Sequence, residues 1–292
     1  MRDAPLHADP VAAFLPLCAA VAFACLIQGL PIVVLAAPAA AADFLPHRAV
    51  YQLTKSAARS GQTATAVTGL MTIEMDEACE GWSLSQRIRM VVTDSMGEDV
   101  ESDSRYASFE TKDGRSLRFS ASDWQDGSLV KEVSGTAERP GPDQPGHASF
   151  DKPEPESFDL PAGALFSAGF NLELIKYMQP EGEGFHQMTG FDGGNVEGAY
   201  TITVFVGKER DSEAKLPDAL RDKAGGPLSG RVRSVRVAYF PSGSQTPEPD
   251  MEYDMELLPN GVSPMMRLDY TNYQVRADLV EFKEMSRPRC AR

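Results

Sequence analysis

From position 67 to position 75 the chain alternates, with Val67, Gly69, Met71, Ile73 and Met75 on one face of an extended backbone and Thr68, Leu70, Thr72 and Glu74 on the other. The same period returns from 83 to 92, where Leu84, Ile88, Met90 and Val92 face one way and Ser83, Ser85, Arg87 and Arg89 the other. Only a strand with one buried face repeats every two residues; a helix places those side chains all around its axis. The alternation recurs near 49–55, 97–103, 106–111, 117–122, 185–191, 200–206, 228–240, 251–257, 262–270 and 273–285. Turn residues separate these segments: Cys79-Glu80-Gly81, Asp113-Gly114, Asp126-Gly127, Asp192-Gly193-Gly194 and Asn260-Gly261 supply the positive-φ positions that tight hairpins need. The reading is a mainly β protein of about a dozen strands, paired in sequence order as an antiparallel meander and numerous enough to curl rather than lie flat.

Two segments depart from this period. Residues 139–156 carry Pro140, Pro142, Pro145, Pro153 and Pro155, which predicts a surface connection within one sheet system. After Pro161, the residues Leu165, Phe166, Leu172, Ile175 and Met178 recur at near-helical spacing until Pro180 ends the run. Gly163 and Gly169 weaken its start, so 171–178 is the firm part of a single helix packed against the sheet.

The N-terminus fits neither pattern. Residues 11–35 contain no charge, Pro16 and Pro31 interrupt them, and Ala40-Ala41-Ala42 precede Asp43. This predicts a signal peptide over 1–42 that is removed, leaving 43–292 as a single exported domain. Cys18 and Cys25 leave with that segment, and the pair Cys79 and Cys290 remains. A lone pair in an oxidising compartment predicts a disulfide. It ties the end of the final strand to the turn after the second strand, and so is expected to hold down a terminal sheet edge.

Loss of the leader removes one basic and two acidic residues, so 27 Lys plus Arg face 40 Asp plus Glu, a net charge of −13. Such a surface repels phosphate backbones, which argues against nucleic acid as a partner. Arg231, Arg233 and Arg236 read as a solvated strand face. The sequence contains no zinc-protease helix, nucleophile elbow or phosphate loop. His47, His147 and His186 are isolated from one another, which predicts no catalytic, cofactor or metal site built on them. Asp99, Glu101, Asp103 and Glu110 imitate part of a calcium loop, but Ser104 occupies the position where such a loop bends at glycine, so they read as acids on a strand. Trp82, Trp124, Phe166, Phe170, Met71, Met75 and Met90 suit either the lining of an apolar ligand cavity or an ordinary core.

Taken together, Gly69-Leu70-Met71 with Glu74, then Cys79-Glu80-Gly81-Trp82 with Gln86-Arg87, Phe191-Asp192-Gly193, Asn260-Gly261-Val262, Leu268-Asp269-Tyr270 and the terminal Cys290 resemble the EipB-like cell-envelope integrity proteins of Gram-negative bacteria. The resemblance implies a β-spiral, a long sheet rolled like a half-open barrel around a central helix, with loose architectural similarity to lipoprotein carriers. It further implies a periplasmic, non-enzymatic protein that binds or scaffolds envelope components, or alternatively carries a lipid or other amphiphile. A periplasmic tetratricopeptide-repeat protein is the implied protein partner.

Overall fold

The computed structural model describes residues 44–56, 64–194, 196, 198–221, 225–243 and 247–290, so the expected leader lies outside the described residues. Fourteen strands and one α-helix follow in the order β1 (His47–Lys55), β2 (Ala66–Glu77), β3 (Gly81–Thr93), β4 (Asp99–Thr111), β5 (Ser116–Gln125), β6 (Ser128–Glu138), β7 (Gly146–Lys152), β8 (Glu156–Leu160), α1 (Ser167–Lys176), β9 (Gly184–Gly190), β10 (Tyr200–Arg210), β11 (Val232–Pro241), β12 (Met251–Leu257), β13 (Met265–Tyr270) and β14 (Tyr273–Glu284). All belong to one antiparallel sheet, ordered β8-β7-β6-β5-β4-β3-β2-β1-β14-β13-β12-β11-β10-β9. The expected meander is therefore two meanders, β1 to β8 and β9 to β14, and β1 pairs with β14 along the seam between them.

The register explains the buried face. Met71 stands opposite Tyr51 on one side and Ile88 on the other, and Met255 stands between Val235 and Met266. Side chains from strands far apart in the order, such as Tyr51 on β1 and Val204 on β10, join one buried cluster, so the sheet curls on itself. It stays open, because β8 and β9 end the order without pairing. Helix α1 is the connection between these two edges, entered from β8 and left into β9. Beside it, Leu165 makes a parallel bridge to Gly190, which covers part of the β9 edge. A second cluster gathers Phe119, Phe150, Phe158, Phe166 and Phe191 with ring centroids 5.2 to 6.4 Å apart, mostly edge to face.

Three expectations are corrected. Residues 97–103 and 106–111 are one strand, β4, because β3 and β5 pair with it continuously through Ser104 and Arg105. The proline-rich segment holds β7, since Pro140, Pro142 and Pro145 precede Gly146 and Pro153 and Pro155 follow Lys152, leaving seven proline-free residues to join the ladder. The last strand is also no terminal edge: β14 lies inside the sheet between β1 and β13. Cys79 Sγ and Cys290 Sγ are bonded, with Cα atoms 5.5 Å apart. Cys290 sits on the tail beyond β14, whose Arg287 donates to the Phe44 carbonyl at 2.7 Å and pairs with Glu77 at 3.3 Å. The tail thus crosses the end of β1 to reach the turn between β2 and β3, and the disulfide clamps the seam.

Candidate functional site

The start of α1 is set by residues far from it in sequence. Phe166 is the N-cap and offers no side-chain acceptor, yet the helix begins at Ser167, before the 171 expected from the glycines. Glu110, buried on β4, accepts from the Ala168 and Gly169 amides at 2.7 and 3.0 Å and replaces the missing local cap. Arg139, also buried, donates to the carbonyls of Gly114 (2.6 Å), Pro142 (3.0 Å) and Ala164, and its guanidinium lies 4.2 Å from the centre of the Phe166 ring. Burial pushes the Glu110 carboxyl up, while the two helix amides and the charge of Arg139 pull it down. At the other end of the helix, Arg233 donates to the carbonyls of Met178 (3.2 Å) and Gly207 (3.0 Å). Arg233 is therefore buried rather than solvated, because it anchors a helix end; Arg231 and Arg236 pair with acids on the surface as expected of a strand face.

Pinned in this way, α1 and the inner face of the sheet line a half-open cavity of 620 Å³. That volume falls within the range of about 300 to 1,000 Å³ typical of small-molecule sites. Its apolar wall includes Met71, Ile73, Ile88, Leu174, Met255, Met266 and Leu268. Of the candidates named from sequence, Met71, Met75, Phe166 and Phe170 line it. Trp82 and Met90 belong to the packed core instead, and Trp124 lies beneath Arg105 at 5.8 Å.

One part of the wall is polar. The Asp192 carbonyl accepts from the Tyr106 hydroxyl at 2.8 Å, and that hydroxyl lies 2.5 Å from Ser167 Oγ. Asp192 Oδ1 accepts from the Gly194 amide at 2.7 Å. Burial pushes the Asp192 carboxyl up, and only backbone amides and the field of Lys131 oppose that. The Tyr239 and Tyr253 rings lie 6.2 Å apart, and burial raises both hydroxyls, Tyr253 to about 12. Tyr200 meets Tyr239 edge to face at 5.7 Å. The turn that presents Asp192 requires glycine next to it: Gly193 has φ +72°, and a Cβ there falls 2.3 Å from the Phe119 ring. Sequence reasoning found this turn but not its carboxylate, and the tyrosines were hidden among ordinary strand positions.

The remaining candidates do not converge. His47 on β1 packs between Phe44 and Phe282, and its Nδ1 lies 2.7 Å from the Leu45 carbonyl oxygen. His147 lies near Asp159, and His186 stacks on Tyr177 at 3.8 Å. Their strands, β1, β7 and β9, are not neighbours in the sheet. Asp103 is bound by Arg87 and Arg105 at 2.7 and 2.8 Å, and Glu101 pairs with Arg89, so these acids belong to a surface ladder while Glu110 belongs to the helix. Among the described residues, no three His, Cys, Asp or Glu side chains group as metal ligands.

A family model described as EipB-like matches residues 38–286. The chain belongs to the EipB-like family. Within the EipB-like proteins, it is similar to the cell envelope integrity protein EipB of Brucella abortus (strain 2308), with 31% identity over 251 residues that cover 84% of this chain and 86% of that protein. The EipB-like fold is seen in the crystal structure of a β-barrel-like protein of a domain of unknown function from Brucella abortus, which matches with a TM-score of 0.72 and 29% identity over 84% of this chain and 99% of that one.

Proposed function

We propose that this EipB-like chain is exported to the periplasm, loses residues 1–42, and maintains envelope integrity as a non-catalytic binding protein that takes up an amphiphile. The observation that carries this reading is the cavity: 620 Å³ of largely apolar interior with a polar tyrosine-lined stretch, in a fold whose core is otherwise packed. Apolar walls of that extent offer dispersion contacts to a bound hydrocarbon chain. The name of the Brucella relative supports the envelope role, and the disulfide supports an oxidising compartment.

A second reading, docking of a protein partner as on a scaffold, is favoured by Phe185 and Phe205. They face each other across β9 and β10 and are 65% and 53% exposed beside the β9 edge. Two sets of substitutions separate the readings. Ile88→Trp and Leu268→Trp fill the cavity and are expected to abolish rescue of the envelope defect in a strain lacking the gene, with the oxidised fold retained by circular dichroism. Phe185→Ser with Phe205→Ser is expected to leave rescue intact. The reverse pattern would sink the amphiphile reading in favour of the scaffold.

A further inference from the structure

We propose that the cavity selects amphiphiles carrying a cationic, ammonium-type head group, held by Asp192 among the rings of Tyr106, Tyr200, Tyr239 and Tyr253. This deepens the amphiphile-binding reading and rests on it. All five residues line the cavity, the Tyr106 hydroxyl donates to the Asp192 backbone carbonyl at 2.8 Å, and the field of Asp192 reaches Tyr106, Tyr239 and Tyr253. Its hydrogen bonds come from backbone amides, and among the described residues no cation forms an ion pair with it.

Of the other charged residues at the cavity, Asp123 and Asp250 add negative charge and the rest have partners. Arg105 engages Asp103 at 2.8 Å and overlies Trp124. Glu252 binds Arg236 at 2.6 Å, and Asp269 accepts from Gln274 at 2.7 Å. Lys131, in register with Asp123 across β5 and β6, is exposed and reaches Asp192 through its field without an ion pair among the described residues. Burial keeps His47, at the aromatic end near Phe44, on the neutral side. What remains inside is a carboxylate that, among the described residues, no cation pairs with directly, the field of Lys131 being the one cationic influence named on it. An anionic head group placed there meets like charge in a low-dielectric site, whereas an ammonium gains the carboxylate and the electron-rich ring faces together. The methionines and leucines of the apolar wall, Met71, Met255, Met266 and Leu268, then accommodate a flexible tail.

The test uses the oxidised protein and three probes with one tail: dodecyltrimethylammonium, dodecyl maltoside and dodecyl sulfate, each below micelle formation and titrated calorimetrically. The trimethylammonium probe is expected to bind with a stoichiometry of one and at least about tenfold more tightly than the sulfate. Asp192→Asn is expected to weaken it about tenfold or more and to leave the maltoside within about twofold. The comparison among head groups uses the unaltered chain and needs no variant to fold. Equal binding of all three probes, or tighter binding of the sulfate, overturns the head-group inference while leaving the cavity reading in place. Binding of none of them overturns both. Ammonium binding that is unchanged by Asp192→Asn, or that occurs at many sites, assigns the preference to the acidic surface and overturns the role of Asp192.

Discussion

Replacing Arg139 with alanine is expected to destabilise the protein by about 3 to 5 kcal/mol, the range found when one member of a buried charged network is removed. The substitution strips three carbonyls, those of Gly114, Pro142 and Ala164, of their donor and uncovers the Phe166 ring. It also removes the positive charge that helps Glu110 stay ionised while it caps α1. The pH dependence follows from the sign of that shift. Burial already raises Glu110 in the folded state, and loss of Arg139 raises it further. Such a group contributes stability that is present below its unfolded value and is lost as pH rises through the folded one. The deficit of Arg139→Ala relative to wild type is therefore expected to grow from about pH 4 upwards until Glu110 is ionised. Arg139→Lys is expected to recover little, because an ammonium cannot reproduce the fork that reaches three carbonyls. Urea melts at several pH values measure the deficit, and hydrogen exchange at the Ala168 and Gly169 amides shows whether the start of the helix is freed. A loss below about 1 kcal/mol, as at an ordinary surface arginine, would contradict this role.

The second large effect is expected from the disulfide. It closes a separation of 211 residues, for which the chain-entropy relation gives a ceiling of about 5 kcal/mol and measured cases typically give about 2 to 4. Against a net stability of about 5 to 15 kcal/mol, either value is a large share. Its position adds a mechanical consequence. The two meanders are hydrogen-bonded to each other along β1 and β14, and the bridge clamps the end of that seam. Cys79→Ser, Cys290→Ser and the double variant should lose similar stability, and exchange of the β1 and β14 amides should accelerate before that of β4 or β11. Thiol labelling of denatured, unreduced protein should find neither cysteine free. Variants that melt like wild type, or a seam no more labile than the rest of the sheet, would remove the clamp.

Much of this architecture was legible because alternation is a local signal. Met71, Ile73 and Met75 face inward for the same reason their spacing suggested, and the Asp-Gly and Asn-Gly turns lie where the chain reverses. What was hidden depends on distance in sequence. The inner face of β6 is built from Val133, Gly135 and Ala137, small residues that make room for Phe119, whose ring lies 2.8 Å from where a Cβ on Gly135 would stand. Such a face carries almost no apolar signal of its own. The helix start was illegible because its cap is Glu110, 58 residues upstream of Ala168. The seam was illegible because nothing local pairs the first strand with the last. The same holds for the cavity's polar wall, where Tyr106, Tyr200, Tyr239, Tyr253 and Asp192 come from four strands and a turn that only the curled sheet brings together.

The two devices that hold α1, Glu110 with Arg139 at its start and Arg233 at its end, keep the cavity from collapsing onto the helix. Burying those charged groups is costly unless each is hydrogen-bonded, as Glu110, Arg139 and Arg233 are. Native mass spectrometry of the oxidised protein, isolated from cells without detergent, tests the use of that cavity most directly. One amphiphile per chain is expected, released on unfolding and absent from the Ile88→Trp and Leu268→Trp variants. A mass equal to the bare polypeptide in every preparation, together with no uptake of added amphiphile, would contradict the binding function.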